Sequence, residues 1–290
     1  MRRVVLLFLV FAPAIFGWAA GEAGDDGARS RIDVYQGDNL PLMKKMPSES
    51  VDLIYIDPPF NTGRRQERKR KDGESFGYDD SFEDLQQFLR PRMIEAYRIL
   101  KPNGSLFFHI DYREVHYCKV MLDQIFGRGS FVNEIIWAYD YGARSKSRWS
   151  AKHDNILFYA KDPKSYVFNY DEIDRIPYMA PELVGPEKAA VGKTPTDVWW
   201  HTIVSPSGKE KTGYATQKPR GIIDRIVKVH SRKGDVCFDF FAGSGTLGES
   251  AYVNGRRAIL IDCNPDAINV MRKRFAGFDT RWHVPEGAGL

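Results

Sequence analysis

Asp57-Pro58-Pro59-Phe60 is the stretch of this chain whose residue types and order best suit chemistry. It follows Val51 to Ile56, an apolar run with the length and composition of a buried strand. Ligand sites of open α/β sheets lie at such carboxyl ends. The two prolines remove two backbone donors and fix φ, so the segment cannot continue a sheet ladder, and its carbonyls stand beside the Asp57 carboxylate as a rigid group of acceptors. Acceptors next to an aromatic ring suit a planar amine, with Asp57 and the Pro58 carbonyl accepting from an exocyclic NH2 while Phe60 stacks on the ring. The bland alternative is an ordinary Asp-Pro corner closing a strand.

A second segment, Asp239-Phe240-Phe241-Ala242-Gly243-Ser244-Gly245-Thr246, stands between a strand pattern and a helix pattern. Glycines there let backbone approach a ligand closely and leave amides free at a helix start. Asp262 ends the next strand about twenty residues on, where an acidic side chain holds ribose hydroxyls. A phosphate loop lacks its lysine here, and a tight turn is the alternative without a ligand. The combination favours a nucleoside-containing cofactor.

Positive charge is concentrated in two places. Asn61 is followed by Arg64-Arg65-Gln66-Glu67-Arg68-Lys69-Arg70-Lys71, six cations in eight residues, on an expected loop. Farther on, Tyr139, Tyr141, Arg144, Lys146, Arg148, Trp149 and Lys152 interleave aromatics with cations. Either stretch is a solvated surface or a phosphate-contacting one. His109, Asp111, His116, His153 and His201 have no metal-ligand spacing, so no metal is assigned, and Asp111 is read as a structural hydrogen-bonding residue.

The elements that must position these groups alternate between strand and helix patterns, as in a parallel sheet covered on both faces. Val51–Ile56, Ser105–Ile110, Val236–Phe240 and Ala258–Ile261 read as strands, and 82–100 (broken or kinked at Pro91), 113–126 and 218–230 as helices. Lys101-Pro102-Asn103-Gly104 is a helix stop. The chain of 290 residues, 43% hydrophobic and 13% aromatic, is large enough for a sizeable core, which excludes disordered and fibrous classes. Its net charge of +4 diagnoses no partner. Cys118, Cys237 and Cys263 stand far apart and are read as packing residues of a reducing compartment. Four segments result: 1–30 a signal-like or non-core extension, 31–130 a half that carries DPPF, 131–213 an irregular insertion, and 214–290 a half that carries the glycine loop.

DPPF, Thr216-Gln217-Lys218-Pro219 and DFFAGSG, in that order, resemble the beta group of S-adenosylmethionine-dependent amino DNA methyltransferases. In that group the catalytic motif comes first, target recognition lies in the middle and the cofactor loop comes last. The resemblance implies a seven-stranded, circularly permuted Rossmann-like sheet with an inserted recognition region. It implies that Asp57 contacts both target amine and cofactor, that Phe241 to Thr246 cradles the cofactor's methionine part with Thr216, Gln217 and Lys218 packed against it, that Asp262 holds the ribose, and that Asp38 lies near the adenine. Ala215 and Phe240 stand where the family often has proline, which bears on loop geometry alone.

The implied reaction is direct methyl transfer to the exocyclic N6 of adenine in double-stranded DNA, adenine being favoured because the family's D-P-P-aromatic form occurs mostly with it. N4 of cytosine is the alternative, followed by an RNA or a protein amide. No cysteine follows proline, as ring-carbon cytosine methylation would need. The target base must be turned out of the duplex, which places Asn61, Arg64, Arg65, Arg68, Lys69, Arg70, Arg144, Lys146, Arg148 and Lys152 as candidate DNA contacts. A cognate restriction endonuclease and a monomer or homodimer belong to the same reading. Protein-glutamine methyltransferases carry asparagine first and the reverse motif order, and a DNA-binding protein without activity would be expected to lose Asp57 or the glycine loop. Residues 1–24 resemble a secretory signal peptide, with Arg2 and Arg3 before an apolar run. That conflicts with cytoplasmic work on chromosomal DNA and suggests a misassigned start; no membrane partner is expected.

Overall fold

The computed structural model describes residues 29–69, 75–205 and 208–284. The signal-like pattern of residues 1–24 and the expected DNA contact Arg70 lie outside the described residues. No helix among those described is long and apolar enough to cross a membrane.

In chain order the elements are β1 (Ile32–Gln36), α1 (Asn39–Lys45), β2 (Val51–Ile56), β3 (Arg64–Lys69), β4 (Ser75–Asp80), α2 (Leu85–Ile99), β5 (Leu100–Ile110), α3 (Val115–Phe126), β6 (Phe131–Ala138) and β7 (His153–Ala160). Then follow α4 (Pro186–Val191), β8 (Val198–Trp200), α5 (Arg220–His230), β9 (Val236–Asp239), α6 (Thr246–Val253), β10 (Arg257–Asp262), α7 (Pro265–Arg274) and β11 (Thr280–His283). Nine strands form one sheet in the order β11-β1-β10-β9-β2-β5-β7-β6-β8, and β3 pairs with β4 in a separate hairpin. Within the sheet β7 runs against its neighbours β5 and β6, and the other pairings are parallel.

Strands buried on both faces are apolar at most positions, and β2 is buried along its whole length with Asp52 as its charged exception. One face carries the apolar stripes of α1, α2 and α3, with Met43, Leu89, Met93 and Leu122 buried in its core. The other carries α5, α6 and α7 through Ile222, Ile226, Leu247 and Met271. The result is a three-layer α/β/α domain with a Rossmann-like doubly wound sheet.

Three expectations are corrected. The sheet has nine strands instead of seven, because β8 and β11 add to its two edges. The segment 131–213 is not simply an irregular insertion: β6, β7 and β8 complete the sheet, and Ile135, Trp137, Ile156 and Phe158 are buried in its core. The basic run after DPPF is a strand, not a loop, since Arg64 to Lys69 pair antiparallel with Asp80 to Ser75. Elsewhere α2 runs as one helix through Pro91, and after its end at Ile99 the chain passes straight into β5, with a register irregularity against β2.

Asp52 fastens the centre of the sheet at the end away from DPPF. Its buried carboxylate accepts the Lys101 ammonium at 2.8 and 2.9 Å and the Val236 amide at 2.9 Å, joining β2, β5 and β9. Asp52→Ala leaves that amide without its acceptor and is expected to cost about 1–3 kcal/mol. A lowered midpoint in urea unfolding is the check, and an unchanged one would mean the three strands need no such fastening.

Candidate active site

Four neighbouring parallel strands end at one edge of the sheet, and each delivers residues to the same cleft. Gly37 and Asp38 follow β1, Asp57 follows β2, Phe240 to Ser244 follow β9, and Asp262 closes β10. The cleft encloses about 410 Å³, the size of a small-molecule site. Backbone bonds fuse its floor: the Gly37 amide donates to the Asp262 carbonyl at 3.0 Å, and that of Ala242 to the Ile261 carbonyl at 3.1 Å.

Asp57 is held asymmetrically. Its Oδ2 lies 2.8 Å from Nζ of Lys218, whereas Oδ1 is buried and has no hydrogen-bond partner among the described residues. A buried acceptor without a donor costs about 1–3 kcal/mol, so Oδ1 is a place where an incoming N–H is favoured. The Lys218 ammonium also stands 4.6 Å from the centre of the Phe60 ring. Lys218 is placed by the loop before α5, whose Lys218 carbonyl accepts from the Thr246 hydroxyl at 3.2 Å.

Carboxylates crowd the rest of the cleft. Asp239 is buried, and burial, together with nearby Asp57 and Asp262, pushes its carboxyl well above the usual range despite a bond from the Phe241 amide at 2.9 Å. Burial also raises Asp262, although its oxygens accept the amides of Gly243 at 2.7 Å and Asn264 at 2.8 Å. Asp38 caps α1 and pairs with Arg92 at 3.0 Å. Arg92, buried above the Phe88 ring, bonds Asn39 at 2.6 Å, and Asn39 in turn bonds the Phe240 carbonyl at 2.7 Å. A cleft walled by Asp38, Asp57, Asp239 and Asp262 suits a ligand with cationic groups and hydroxyls and disfavours a phosphate. Phe82, Phe88 and Phe241 supply apolar wall for a flat ring. These residues fit S-adenosylmethionine, which carries a sulfonium, an ammonium, a ribose and an adenine.

The glycine loop works by packing as well as by exposure. Gly245 caps α6 at φ +74°, and a Cβ there would lie 2.6 Å from Phe275 and 2.8 Å from Met271. Its role is thus to let α6 approach α7; Gly243 and Ser244 line the cleft. Arg274 fastens the loop from behind, donating to the Ser244 carbonyl and the Thr246 hydroxyl, each at 3.1 Å.

Of the residues singled out by sequence, Asp38, Asp57, Pro59, Thr216, Lys218, Asp239, Phe241, Gly243, Ser244, Thr246 and Asp262 line the cleft together. Gln217 does not: its amide oxygen accepts from Thr212 and its NH2 donates to the Glu210 carbonyl, each at 2.8 Å, so it pins the preceding loop. Pro58 is buried, and Phe60 stands beside the cleft, 5.9 Å from the His109 ring. Asn61, expected at DNA, is at φ +54°, and its side chain bonds Glu114 at 2.9 Å and the Phe82 amide at 2.8 Å. It positions the turn into β3, which Asp80 completes by accepting from Asn61 and Thr62. Cys263, expected in packing, is exposed at the cleft rim. Asp111 is structural, as expected, accepting the Arg113 amide at 3.0 Å.

Of the basic candidates, Arg144, Lys146, Arg148 and Lys152 lie between β6 and β7, whose facing ends share that edge. Arg64 is exposed on β3. Arg144 pairs with Asp140, Lys152 donates to the Tyr141 carbonyl, and Lys146 and Arg148 are exposed.

Sequence reasoning missed the ion pair of Asp57 with Lys218 and the group beneath it. Tyr55 precedes Asp57 by two residues, the period that places alternate strand residues on one face. Its hydroxyl is 2.7 Å from Nδ1 of His109, whose Nε2 is 3.1 Å from Asp154. Burial opposes ionisation of Asp154, but the hydrogen bonds it takes from His109 and Tyr139, with the Lys218 ammonium nearby, hold its carboxyl below the usual range. Ionised Asp154 therefore accepts Nε2–H, and Nδ1 is left to accept from Tyr55.

A family model described as a DNA methylase matches residues 51–273. The type II methyltransferase M.HpaI of Haemophilus parainfluenzae is 32% identical over 248 residues, spanning 83% of this chain and 74% of its own. The DNA adenine methyltransferase YhdJ of Escherichia coli strain K12 is 31% identical over 255 residues, spanning 83% of this chain and 81% of its own. Among solved structures, the cytosine-N4-specific PvuII DNA methyltransferase matches with a TM-score of 0.62 at 17% identity, covering 86% of this chain and 87% of its own. The M1.HpyAVI–SAM complex matches at 0.58 and 22% identity, covering 84% and 98%. Likenesses at those identities establish the fold.

Asp239 yields a test of the crowded carboxylates. With its folded pKa raised above the roughly 3.9 of an unfolded aspartic acid, the stability it contributes is fully present below that value and lost as pH rises toward the folded pKa. Asp239→Asn keeps the acceptor for Phe241 and loses the proton, so its stability relative to wild type is expected to increase from about pH 4 to pH 7. Thermal melts of both proteins across that range are the check, and a constant difference would mean Asp239 ionises without cost.

Proposed function

Since this chain belongs to the family of N6/N4 DNA methylases, we propose that it transfers a methyl group from S-adenosylmethionine to the exocyclic N6 amine of adenine in double-stranded DNA. The observation that carries the reading is the Asp57 carboxylate, with one oxygen on Lys218 and the other buried without a partner. When bound, the cofactor supplies an electrophilic methyl on a sulfonium centre.

The residues of the chain do the rest. An exocyclic amine is a poor nucleophile because its lone pair is delocalised into the ring. Asp57 Oδ1 accepts one of its hydrogens, which favours a more tetrahedral nitrogen, and the Pro58 carbonyl is assigned to the second. Lys218 fixes the carboxylate, so positioning and preorganised electrostatics supply the acceleration. Phe60 stacks on the base. Asp262 holds ribose hydroxyls, and Asp38 and Asp239 complete the acidic wall.

Adenine over cytosine is supported by the name of the E. coli relative, a DNA adenine methyltransferase. The type II designation of M.HpaI makes a cognate restriction endonuclease the partner to seek. A cytoplasmic location accords with use of this donor and chromosomal DNA.

The test is transfer of labelled methyl from S-adenosylmethionine to genomic DNA, followed by digestion and separation of nucleosides. Label in N6-methyladenine is the expected result. Label in N4-methylcytosine would overturn the base assignment and keep the reaction, and no label in DNA despite cofactor binding would overturn the function.

Two substitutions probe the roles assigned above. Asp57→Ala is expected to abolish transfer while the fold and much of the DNA affinity persist; near-normal turnover would remove Asp57 from the mechanism. Lys218→Met removes the charge on Oδ2 and is expected to lower kcat about tenfold to a hundredfold, a hydrogen bond to a charged group being worth about 1.5–3 kcal/mol. Single-turnover rates at saturating cofactor measure it.

A further inference from the structure

One large side chain of this protein stands almost wholly in water. Trp149 is 99% exposed, although an indole carries a large apolar surface that is usually covered. It sits on the loop 139–152 between β6 and β7, among Arg144, Lys146, Arg148 and Lys152. That loop is shaped by its own bonds. The Tyr139 amide donates to the Lys152 carbonyl at 3.0 Å, that of Ser145 to the Ser150 hydroxyl at 2.8 Å, and that of Ser147 to the Ser145 hydroxyl at 3.2 Å.

Strand register places the loop. Ile56 of β2 lies level with Phe108 of β5, Ile110 of β5 opposite Asn155 of β7, and His153 of β7 opposite Ala138 of β6. The loop thus springs from the edge of the sheet at which β2 delivers Asp57. Its base is also bonded to the floor of the cleft: the Tyr139 hydroxyl donates to Oδ1 of Asp154 at 3.1 Å, and Asp154 holds His109, which holds Tyr55.

An exposed ring on a basic loop beside a pocket for a turned-out base fits one occupant, the stacked interior of an anionic duplex. Proteins that unstack DNA insert apolar wedges between bases, and an aromatic ring stacks on any base regardless of sequence. We infer that Trp149 enters the duplex at the space left by the target base and stacks on its former neighbours, an assignment that rests on the methyl-transfer reading above. Arg148 and Lys146 hold the flanking phosphates.

The experiment compares wild type with Trp149→Ala and Trp149→Phe on an oligonucleotide carrying a site that the wild-type protein methylates. It is offered as duplex, as single strand, and as duplex with an abasic position opposite the target. On duplex, Trp149→Ala is expected to lower kcat/KM by roughly tenfold to a hundredfold, and Trp149→Phe to restore most of it. On single strand, where nothing has to be unstacked, and opposite the abasic position, where pairing is already lost, the loss is expected to shrink toward none. In wild type, 2-aminopurine at the target position brightens on binding, and in Trp149→Ala the rise is diminished. Equal activity of Trp149→Ala and wild type on duplex would overturn the wedge, as would the same loss on duplex and single strand, which would make Trp149 a general DNA contact. Absence of transfer to any DNA by the wild type would overturn the function as well, so the two failures are distinct.

Discussion

The Asp57–Lys218 ion pair is the interaction on which the rest of the site depends. A carboxylate at the end of a buried strand must be compensated or it takes up a proton. Here the compensating ammonium comes from the other half of the chain, from the loop before α5, and reaches one oxygen of the carboxylate. The pair can form only if the carboxyl end of β2 and the start of α5 meet, which requires β9 to lie beside β2 and α6 to be fastened to the Lys218 backbone through Thr246. Two distant motifs are thereby made into one site. The asymmetry has a chemical consequence: with Oδ2 satisfied and Oδ1 without a donor among the described residues, the group is an acceptor aimed at one place.

Around that pair the cleft is built against its own electrostatics. Asp239 and Asp262 lie close enough to Asp57 for burial and mutual repulsion to raise the pKa of Asp239. Such crowding costs stability in the empty protein and is the kind of strain that clusters at functional sites. Arg92 and Lys218 offset part of it, and a cationic ligand would offset the remainder. A site for a phosphate-bearing nucleotide would show the opposite sign, with free helix-start amides and cations facing the cleft. Here the Gly243 amide is already bonded to Asp262, so the glycine loop uses that donor to hold the Asp262 carboxylate in place.

How much of this was legible in the sequence follows from what each signal reports. The strand Val51–Ile56 was readable to the residue because a strand covered on both faces is apolar at most positions, and DPPF marked its end because prolines cannot continue a ladder. The glycine loop and Asp262 were readable for the same local reasons. A motif gives residue type and place but not the direction of a side chain: Gln217 bonds its own loop, and Asn61 bonds Glu114 and the Phe82 amide. Arg64 to Lys69 form a strand because they pair with Ser75 to Asp80, and pairing of that kind leaves no hydrophobic periodicity in a run of cations. The strands β6 and β8 were obscured by long exposed connections, though their buried residues help complete the sheet. The Asp57–Lys218 pair was invisible because it is a tertiary contact between distant segments.

Tyr55, His109, Asp154 and Tyr139 show how a sheet can carry position from one feature to another. They come from β2, β5, β7 and the end of β6, strands that are consecutive in the sheet or adjoin through β7. Each hydrogen bond crosses from one element to the next, and the chain ends at the root of the basic loop. With Tyr55, His109 and Asp154 buried, water has little access to the bonds between them, so these side chains keep their relative places or leave donors and acceptors unsatisfied. Phe60 rests against the same histidine at 5.9 Å. The ring assigned to the target base and the loop assigned to the duplex therefore share one buried support, and a displacement of either must disturb the bonds of the other.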